Sequence, residues 1–397
     1  MTVLDPARER QMVRVLAGIQ FANVLDFVLI MPLGPQLMRV FGISSAQFGL
    51  LVSVYMLAAA VSGLVAGSLI DRFDRKRVLL WLQAGLAISL LGCALAPDWI
   101  VLLLARAAAG AFGGVIGTQV HAVLGDAIPP ERRGTATGLV MSAFAFSSVI
   151  GVPFGLVLAD LLGWRAPFAV LAMGVAALFA VSAGILPSRP AQPGPRGHPV
   201  KVVVEVLRNA NHRRAILLMA MLMAASFSIA PFSAPYLIQN VGLRESDLAV
   251  LYLFGGVMTL FTSRWIGRQV DLRGKQRMFR ILALATAPAF MLATVLPPVS
   301  LGTAVLLMMA YMALGSGRFI PAMAITNAAA DPRVRGGFLS LSGAAQQASA
   351  GIASIVAGLV IGHGPSGELT RFGWIGVFAV LLTIVAVLWA PRIKAIS

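Results

Sequence analysis

The sequence contains twelve stretches of about 20 residues or more that are almost free of charge. A helix needs about 20 apolar residues to cross the hydrocarbon core of a bilayer. None of the stretches alternates apolar and polar residues as a barrel strand does, so each is predicted to be a membrane-spanning helix. The predicted spans, numbered 1 to 12, cover residues 14–37, 47–67, 78–96, 100–123, 135–159, 166–186, 214–238, 248–266, 279–297, 302–325, 338–361 and 372–391.

The chain is too apolar for a soluble protein, because 58% of its residues are hydrophobic and only 12% are charged. A soluble chain is about half apolar and about a quarter charged. The predicted fold class is therefore an all-α integral membrane protein with the lipid bilayer as its solvent. A net charge of +16 would indicate nucleic acid as the partner of a soluble protein. Here the basic residues lie in short segments between spans, so no nucleic-acid partner is expected.

The distribution of Lys and Arg predicts the orientation of the spans. If both termini are cytoplasmic, 25 of the 31 basic residues fall on the cytoplasmic side and four on the other side, and Arg106 and Arg318 lie inside spans. Cytoplasmic loops of membrane proteins carry an excess of Lys and Arg. Both termini are therefore predicted to be cytoplasmic.

A segment rich in Pro and charge separates the first six spans from the last six. Its first part is predicted to be an extended linker, and residues 200–208 are predicted to form a short amphipathic helix on the inner membrane surface. The predicted organisation is a first six-helix half at 1–188, a cytoplasmic linker at 189–213 and a second six-helix half at 214–397.

The two halves carry the same charged loop. GSLIDRFDRKR at 67–77 matches GRQVDLRGKQR at 267–277 with an offset of 200 residues. PERRG at 130–134 matches PRVRG at 332–336 with an offset of 202. Small residues follow the second match in both halves at every fourth position, a spacing that lets helices approach closely in lipid. The sequence therefore predicts a parallel repeat of six-helix units with a central site between them.

These motifs resemble those of a known family. GSLIDRFDRKR is similar to G-x-L-x-D-R-x-x-R-[RK], the loop between spans 2 and 3 of the major facilitator superfamily, and RAAAGAFGG at 106–114 resembles its span-4 pattern. GVPFG at 151–155 resembles the span-5 signature G-P-x-x-G-G of the drug:proton antiporter branch, with one residue inserted before Pro153 and a single Gly155 where two glycines are usual. GWRAPF at 163–168 is similar to the sugar and drug efflux members of that branch. By these motifs the chain is identified as a member of the superfamily along its whole length.

The repeated loop is a candidate gate. Asp71 is an acid among basic residues, and it is placed to accept hydrogen bonds from the exposed N–H groups of a neighbouring helix start. The resemblance implies that this aspartate holds the cytoplasmic end of span 11 in the outward-facing state, and Arg75 is expected to pair with Asp126. A pure topology signal is the alternative, but it explains the Lys and Arg and not Asp71 or its copy Asp271. The predicted gating residues are Gly67, Asp71, Arg72, Arg75, Arg77, Asp126 and Asp271.

Asp26 is the sole acid deep within a predicted span, and a carboxylate in lipid is a functional candidate by default. Arg106 lies about six residues into span 4, or about 9 Å deep, and Asp26 lies at a similar depth. The two are predicted to couple, with Asp26 as the proton carrier, Arg106 as its tuning partner and Asn23 on the same face one turn away. Alternatives are a structural Asp26 near a break at the two nearby prolines and an Arg106 that snorkels outward.

Arg318 in span 10 has no copy in the first half, which favours a role in binding an anionic substrate, although a snorkelling or hydrogen-bonding arginine is the alternative. His121 near the inner end of span 4 is either a proton relay or a structural residue. Gly151, Pro153 and Gly155 are expected to bend span 5 or pack it closely at the interface of the halves. The candidate substrate-binding residues are Asn23, Phe27, Phe112, Gln119, Tyr236, Tyr252, Arg318 and Gln346.

The sequence contains no G-x-x-x-x-G-K-[ST], H-E-x-x-H or G-x-S-x-G motif, so no ATP site, metal site, cofactor or enzymatic activity is predicted. The resemblance implies proton-driven export by alternating access. The prediction is therefore a secondary transporter, expected to act as a monomer in a bacterial inner membrane, that exports a small organic molecule in exchange for protons. One alternative is a proton symporter or facilitator for uptake. Another is a membrane receptor or scaffold without transport, for which the charged pair and the repeated loops would be unnecessary.

Overall fold

The computed structural model describes residues 6–69, 73–188 and 199–396, and in these ranges twelve helices are long and apolar enough to cross a membrane. Asp71 and Arg72 lie outside the described residues. Spans 5 and 10 are each built from two consecutive helices. The spans are, in order, Pro6–Leu29, Ser45–Leu69, Arg75–Leu95, Trp99–Ala127, Pro130–Phe146 with Val152–Leu162, Arg165–Ile185, Ala210–Gln239, Glu245–Arg273, Lys275–Val295, Leu301–Gly317 with Phe319–Ala328, Arg335–Val360 and Phe372–Trp389.

The remaining described elements are short. A helix at Pro199–Arg208 lies where the sequence predicts an amphipathic segment, and it packs against spans 7 and 11. Two strands, β1 at Gly362–His363 and β2 at Leu369–Thr370, form an antiparallel hairpin between spans 11 and 12. The predicted all-α membrane fold is confirmed.

Span 1 ends earlier than the sequence predicts. Its helix stops at Leu29, and a separate helix runs from Gly34 to Phe41. Pro32 has no N–H and its ring would clash with the preceding turn of a continuous helix, whereas Pro35 fits the first turn of the new helix. The expectation of one helix over residues 14–37 was therefore wrong, and the break redirects the chain toward the second half.

Span 5 contains one turn of π-helix, at Ser147–Gly151, where the Val152 N–H donates to the Ser147 carbonyl. Pro153 has no N–H to donate to the carbonyl four residues earlier. A π-helical turn just before it accommodates this break in the α-helical hydrogen bonding. Gly151 and Gly155 pack against leucine side chains of span 1, not against the second half. The interface contact of span 5 is made instead by the Ser148 carbonyl, since a Cβ on Gly256 of span 8 would lie 2.9 Å from its oxygen.

Here spans 1–6 are called the first half, spans 7–12 the second half, and the basic face is the membrane face that carries the loop between spans 2 and 3. The halves meet closely toward the opposite face. Ser53 of span 2 donates to the Gly351 carbonyl of span 11 at 2.8 Å, and Ser354 donates to the Gly49 carbonyl at 3.3 Å. A Cβ on Gly358 would lie 2.6 Å from the Ser45 carbonyl oxygen. The absence of side chains at these glycines thus allows the two backbones to touch.

Toward the basic face the halves separate. Span 2 is buried over most of its first four turns, but its Val61, Leu64 and Val65 are 64%, 40% and 51% exposed. Val61 and Val65 continue, at four-residue spacing, the face on which Gly49 and Ser53 meet span 11, so exposure of this face indicates a gap between the halves. The structure therefore has a crevice that is open at the basic face and closed at the opposite face.

Candidate functional site

Asp26 of span 1 and Arg106 of span 4 form a fully buried ion pair, with neither side chain exposed. The Arg106 Nη1 donates to the Asp26 carboxylate and also to the Asp26 backbone carbonyl at 3.3 Å. The guanidinium carbon lies 4.5 Å from the centre of the Tyr55 ring, which belongs to span 2. The structure thus brings together the two residues that the sequence pairs by depth, and Arg106 points into the bundle and does not snorkel outward.

Glycines of span 4 make room for this pair. A side chain at Gly110 would overlap the Tyr55 backbone, and a side chain at Gly114 would overlap Ala59. Their four-residue spacing lets span 2 lie directly against span 4. This close contact places the Tyr55 ring against Arg106. Removing one partner of such a buried pair costs about 3–5 kcal/mol, because the other charge is left uncompensated.

Polar atoms continue along span 1 from Asp26. The Asn23 Oδ1 and the Gln20 Oε1, three and six residues earlier, are buried and have no hydrogen-bond partner among the described residues, and the same holds for the second carboxylate oxygen of Asp26. Gln20 and Asn23 lie beside glycines of span 4, Gly117 and Gly113. Buried polar atoms are normally hydrogen-bonded, so this row has capacity to bind water or polar ligand groups.

A cavity of about 420 Å³ lies between the halves. Its walls carry seven aromatic residues and six methionines, and none of its described lining residues is charged. Three of the predicted substrate residues line it: Phe27, Tyr252 and Gln346. A cavity of this size and apolar character suits a small organic molecule, and methionines adapt readily to different shapes.

The other predicted substrate residues lie elsewhere. Phe112 packs against Gly85 of span 3, and Gln119 is buried in span 4. Tyr236 donates its hydroxyl to the Leu296 carbonyl at 3.0 Å, near the opposite face. Asn23 belongs to the polar row beside Asp26, outside the cavity lining.

Several lining residues escaped the sequence analysis. Met219, Met223 and Phe227 recur at four-residue spacing along span 7, and Met308 and Met312 repeat that spacing along span 10. Each set occupies one helix face. A search for methionines and aromatics at this spacing could have found these walls.

Arg318 is completely buried at the junction of the two helices of span 10. It donates to the Ser226 hydroxyl and the Thr383 hydroxyl, each at 2.8 Å, and to the Leu222 carbonyl at 3.3 Å. Its guanidinium carbon lies 4.6 Å from the centre of the Phe290 ring. Arg318 therefore links spans 7, 9, 10 and 12 and does not snorkel, and Ser226 and Phe290 separate it from the cavity.

The described part of the gating loop contains the predicted ion pair. The Arg75 Nε lies 2.6 Å from the Asp126 Oδ2, which ties span 3 to the basic end of span 4. Arg77 donates its backbone N–H to Asp74, the cap of span 3, at 3.0 Å. The Arg75–Asp126 contact lies within the first half. It therefore positions the loop without itself joining the two halves.

The remaining gating and relay candidates stand at the basic ends of their spans. Gly67 is in the last turn of the span-2 helix. Asp271 is exposed near the end of span 8, and His121 is half-buried in span 4.

An ion pair that the sequence analysis missed joins the halves at the opposite face. Arg39, on the short helix after span 1, pairs with Glu245 in the first turn of span 8. Hydrogen bonds to Glu245 raise the pKa of the Arg39 guanidinium above its ordinary value. Arg39 is 65% exposed, so the pair contributes little to stability, although it links the two halves where they are already closed.

Comparison with known proteins gives the family. The sequence profile of the Major Facilitator Superfamily matches residues 16–354. The MFS-type transporter YceJ of Bacillus subtilis is 27% identical over 347 residues, covering 86% of this chain and 87% of that protein. A probable sugar efflux transporter of Helicobacter pylori is 26% identical over 68% of both proteins. The purine ribonucleoside efflux pump NepI of Escherichia coli is 27% identical over 62% of this chain and 60% of its own length.

Solved structures show the same fold at low sequence identity. A bacterial homolog of the human lysosomal transporter Spinster, in an inward-facing and occupied conformation, has a TM-score of 0.77 and 17% identity, with 99% of this chain and all of that chain covered. The nucleoside transporter NupG has a TM-score of 0.77 and 15% identity, with 97% of this chain and 99% of that chain covered. With its twelve spans, central cavity and matching profile, the chain belongs to the major facilitator superfamily and is a membrane transporter, not an enzyme.

Proposed function

We propose that the protein exports a small organic molecule in exchange for protons. The observation that carries this proposal is the buried Asp26–Arg106 pair and its connection to the cavity through Phe27. Phe27 is next to Asp26 in the chain, and its ring lies 5.6 Å from the Tyr55 ring and 5.7 Å from the Phe227 ring. Tyr55 touches Arg106, and Phe227 belongs to the second half. A change at the ion pair can therefore reach the cavity and the second half through three rings.

In this proposal Asp26 takes up and releases the proton. When Asp26 gains a proton it becomes neutral, and the attraction that holds Arg106 is lost. Arg106 and the Tyr55 ring are then free to move, and Phe27 moves with them. Because the cargo occupies the cavity that Phe27 lines, its binding and the protonation of Asp26 affect each other in both directions, as linkage requires.

The proposed orientation places the basic face in the cytoplasm, with both termini on that side. The structure is then in an inward-open state, in which the crevice admits cargo from the cytoplasm. Export requires the contacts at the opposite face to separate while the loop between spans 2 and 3 closes the basic face. We propose that residues 1–188 and 214–397 are the moving halves, that 189–213 links them, and that one chain in a bacterial inner membrane is sufficient.

The names of two relatives support export as the direction. The Helicobacter pylori protein is called a probable sugar efflux transporter, and the Escherichia coli protein a purine ribonucleoside efflux pump. Sugars and nucleosides therefore belong in the first panel of candidate cargoes.

The test is proton flux in proteoliposomes that contain the purified protein and an internal pH dye. Sugars, purine ribonucleosides, hydrophobic drugs and amphipathic organic acids are added in turn under an imposed pH gradient. Wild-type protein should give proton flux that depends on one class of compound and runs opposite to it. Asp26→Asn should abolish this flux, because an amide cannot carry the proton.

Asp160→Asn is the matched control, since Asp160 is an exposed aspartate of span 5 and should tolerate the same change. Equal accumulation of cargo by wild type and Asp26→Asn, with no proton flux in either, would make the protein a facilitator and contradict the proposal. Proton flux in the same direction as the cargo would make it a symporter.

A further inference from the structure

Arg318 is a buried cation without a buried anion. No carboxylate lies within 4 Å of its guanidinium among the described residues, and its three hydrogen-bond acceptors are two hydroxyls and one carbonyl. These neutral groups solvate the charge without cancelling it, and its Nε has no partner among the described residues. A charge inside a membrane protein is expensive, so its retention calls for a role.

Ser226 connects this charge to the cavity. Its hydroxyl oxygen accepts from Arg318, and the described part of the structure gives its own O–H no acceptor. Ser226 is half-buried and belongs to the cavity wall. Its O–H is therefore available to a group in the cavity, and the cation behind it makes it a stronger donor.

The Thr383 hydroxyl differs from the Ser226 hydroxyl in that its hydrogen is already bonded. It accepts from Arg318 in the same way, but it donates its own hydroxyl hydrogen to the Ala379 carbonyl at 2.7 Å. Thr383 is fully buried and does not line the cavity. Of the two hydroxyls that hold Arg318, only the Ser226 hydroxyl is both free to donate and placed to meet a ligand.

We propose that Ser226 and Arg318 form an anion subsite and that the cargo is an amphipathic organic anion. Its acid group, a carboxylate or a comparable oxyanion, accepts from the Ser226 hydroxyl and lies in the positive field of Arg318. Its apolar body packs against the methionines and aromatic rings of the cavity. The proposal rests on the proposed transport function, since it names the class of cargo that the same cavity takes.

A purely structural Arg318 would hold spans 7, 10 and 12 together through its hydrogen bonds, whatever the charge of the ligand. The two roles differ in one measurable respect. A subsite distinguishes an acid from its neutral amide, whereas a structural brace does not.

The experiment compares two fluorescent probes that share an apolar body. Dansylglycine carries a carboxylate at pH 7, and dansylglycinamide is its neutral amide; both become brighter in an apolar site. They are titrated into the purified protein in detergent, with empty micelles as the blank. The charged probe should bind about 10- to 100-fold more tightly, as expected for hydrogen bonding to a charged group. Equal affinities of the two probes for wild-type protein overturn the proposal, whatever the variants show.

Substitutions identify the residues on which the preference for the charged probe depends. Arg318→Gln and Ser226→Ala should bring the affinity ratio of the two probes toward one, and Arg318→Lys should keep part of it. Arg165→Gln is the matched control, since Arg165 donates to the Ala96 carbonyl far from the cavity, and it should keep the full ratio. A ratio that stays unchanged in Arg318→Gln overturns the proposal. If Arg318→Gln does not fold, the wild-type ratio and Arg318→Lys still decide.

The two proposals can fail separately. Proton flux that Asp26→Asn abolishes, together with equal binding of both probes, would leave proton exchange standing and remove only the anionic cargo. The reverse combination would leave an anion-binding transporter whose energy does not come through Asp26.

Discussion

Among the described residues, each half of the molecule buries one arginine completely, and the surroundings of the two arginines differ. Arg106 in the first half pairs with Asp26, so its charge is balanced within the protein. Arg318 in the second half is held by neutral hydroxyls and a carbonyl. Both also rest against an aromatic ring, at 4.5 Å from Tyr55 and 4.6 Å from Phe290.

Under the two proposals, this difference assigns a separate function to the buried arginine of each half. A balanced pair changes its net charge only when a proton arrives, which suits energy coupling. An unbalanced cation has a net charge that an anionic ligand can neutralise, which suits cargo selection. The sequence repeats the loop motif and the spacing of small residues in both halves, whereas the charged residues inside the spans are not repeated.

The largest expected effect is the loss of stability on breaking the Asp26–Arg106 pair. Arg106→Gln should lower the free energy of unfolding by about 3–5 kcal/mol, because the Asp26 carboxylate is left buried without a countercharge. Arg318→Gln should change stability far less, because it removes an uncompensated charge and Gln can still donate to the hydroxyls. Thermal unfolding of both variants in the same detergent measures the difference.

The double variant Asp26→Asn/Arg106→Gln serves as the control for this prediction. It should recover much of the loss, since two neutral amides can bond to each other. Equal destabilisation by Arg106→Gln and Arg318→Gln would remove the distinction between the two halves.

The next largest effect is a difference in stability between two glycine substitutions, one near each buried arginine. Gly110→Ala should cost about 1–3 kcal/mol, because the new methyl group overlaps the Tyr55 backbone and pushes span 2 away from Arg106. Gly315→Ala in span 10 should be neutral or slightly stabilising, because its Cβ would lie 3.6 Å from the Phe290 ring, an ordinary contact. Thermal midpoints of the two variants test the contrast. Similar midpoints would mean that spans 2 and 4 relax around the methyl group.

A smaller effect separates the two hydroxyls that hold Arg318. Thr383→Val should reduce stability by about 1 kcal/mol, because it removes a buried acceptor of Arg318, and it should leave the probe preference intact. Ser226→Ala should reduce the preference while changing stability less, since Ser226 is only half-buried. Thermal unfolding and probe titration on the same preparations check the expected changes in stability and in probe preference. A loss of preference in Thr383→Val would show that the anion does not depend on Ser226 in particular.

The smallest effect concerns the ion pair between the halves. Glu245→Gln should shift the equilibrium toward opening of the opposite face by less than about 1 kcal/mol, because Arg39 is largely exposed to solvent. A Ser45→Cys reporter at the closed face, 1% exposed as serine, measures opening by its rate of maleimide labelling. The native Cys93 is buried and should contribute little background. Raising the salt concentration should shrink the difference between Glu245→Gln and the parent, since salt screens the exposed pair.

The sequence predicted what depends on length, charge and depth. The twelve spans follow from apolar length, and the Asp26–Arg106 contact follows from two charges at the same depth in lipid. The Arg75–Asp126 pair follows from charges at adjacent helix ends. In each case the free-energy cost of placing polar or charged groups in lipid, or the attraction between opposite charges, acts almost independently of the exact packing.

What the sequence did not predict depends on how the helices rotate and bend. The break after Leu29 and the π-turn before Pro153 are local responses to proline that shift every residue beyond them. Phe112 and Tyr236 were expected in the cavity, but the rotation of their helices directs them to Gly85 and Leu296. The partners of Arg318 come from spans 7 and 12, so no local pattern connects them.

The contact that closes the opposite face is made mainly by glycines, serines and backbone carbonyls of spans 2 and 11. Such residues have few rotamers or none, so little side-chain entropy is lost each time the surfaces rejoin. A seal made of interlocking long side chains would have to reorder them in every transport cycle. The smooth surface here favours fast reclosure, and bulky substitutions along it should slow turnover even where the closed state still forms.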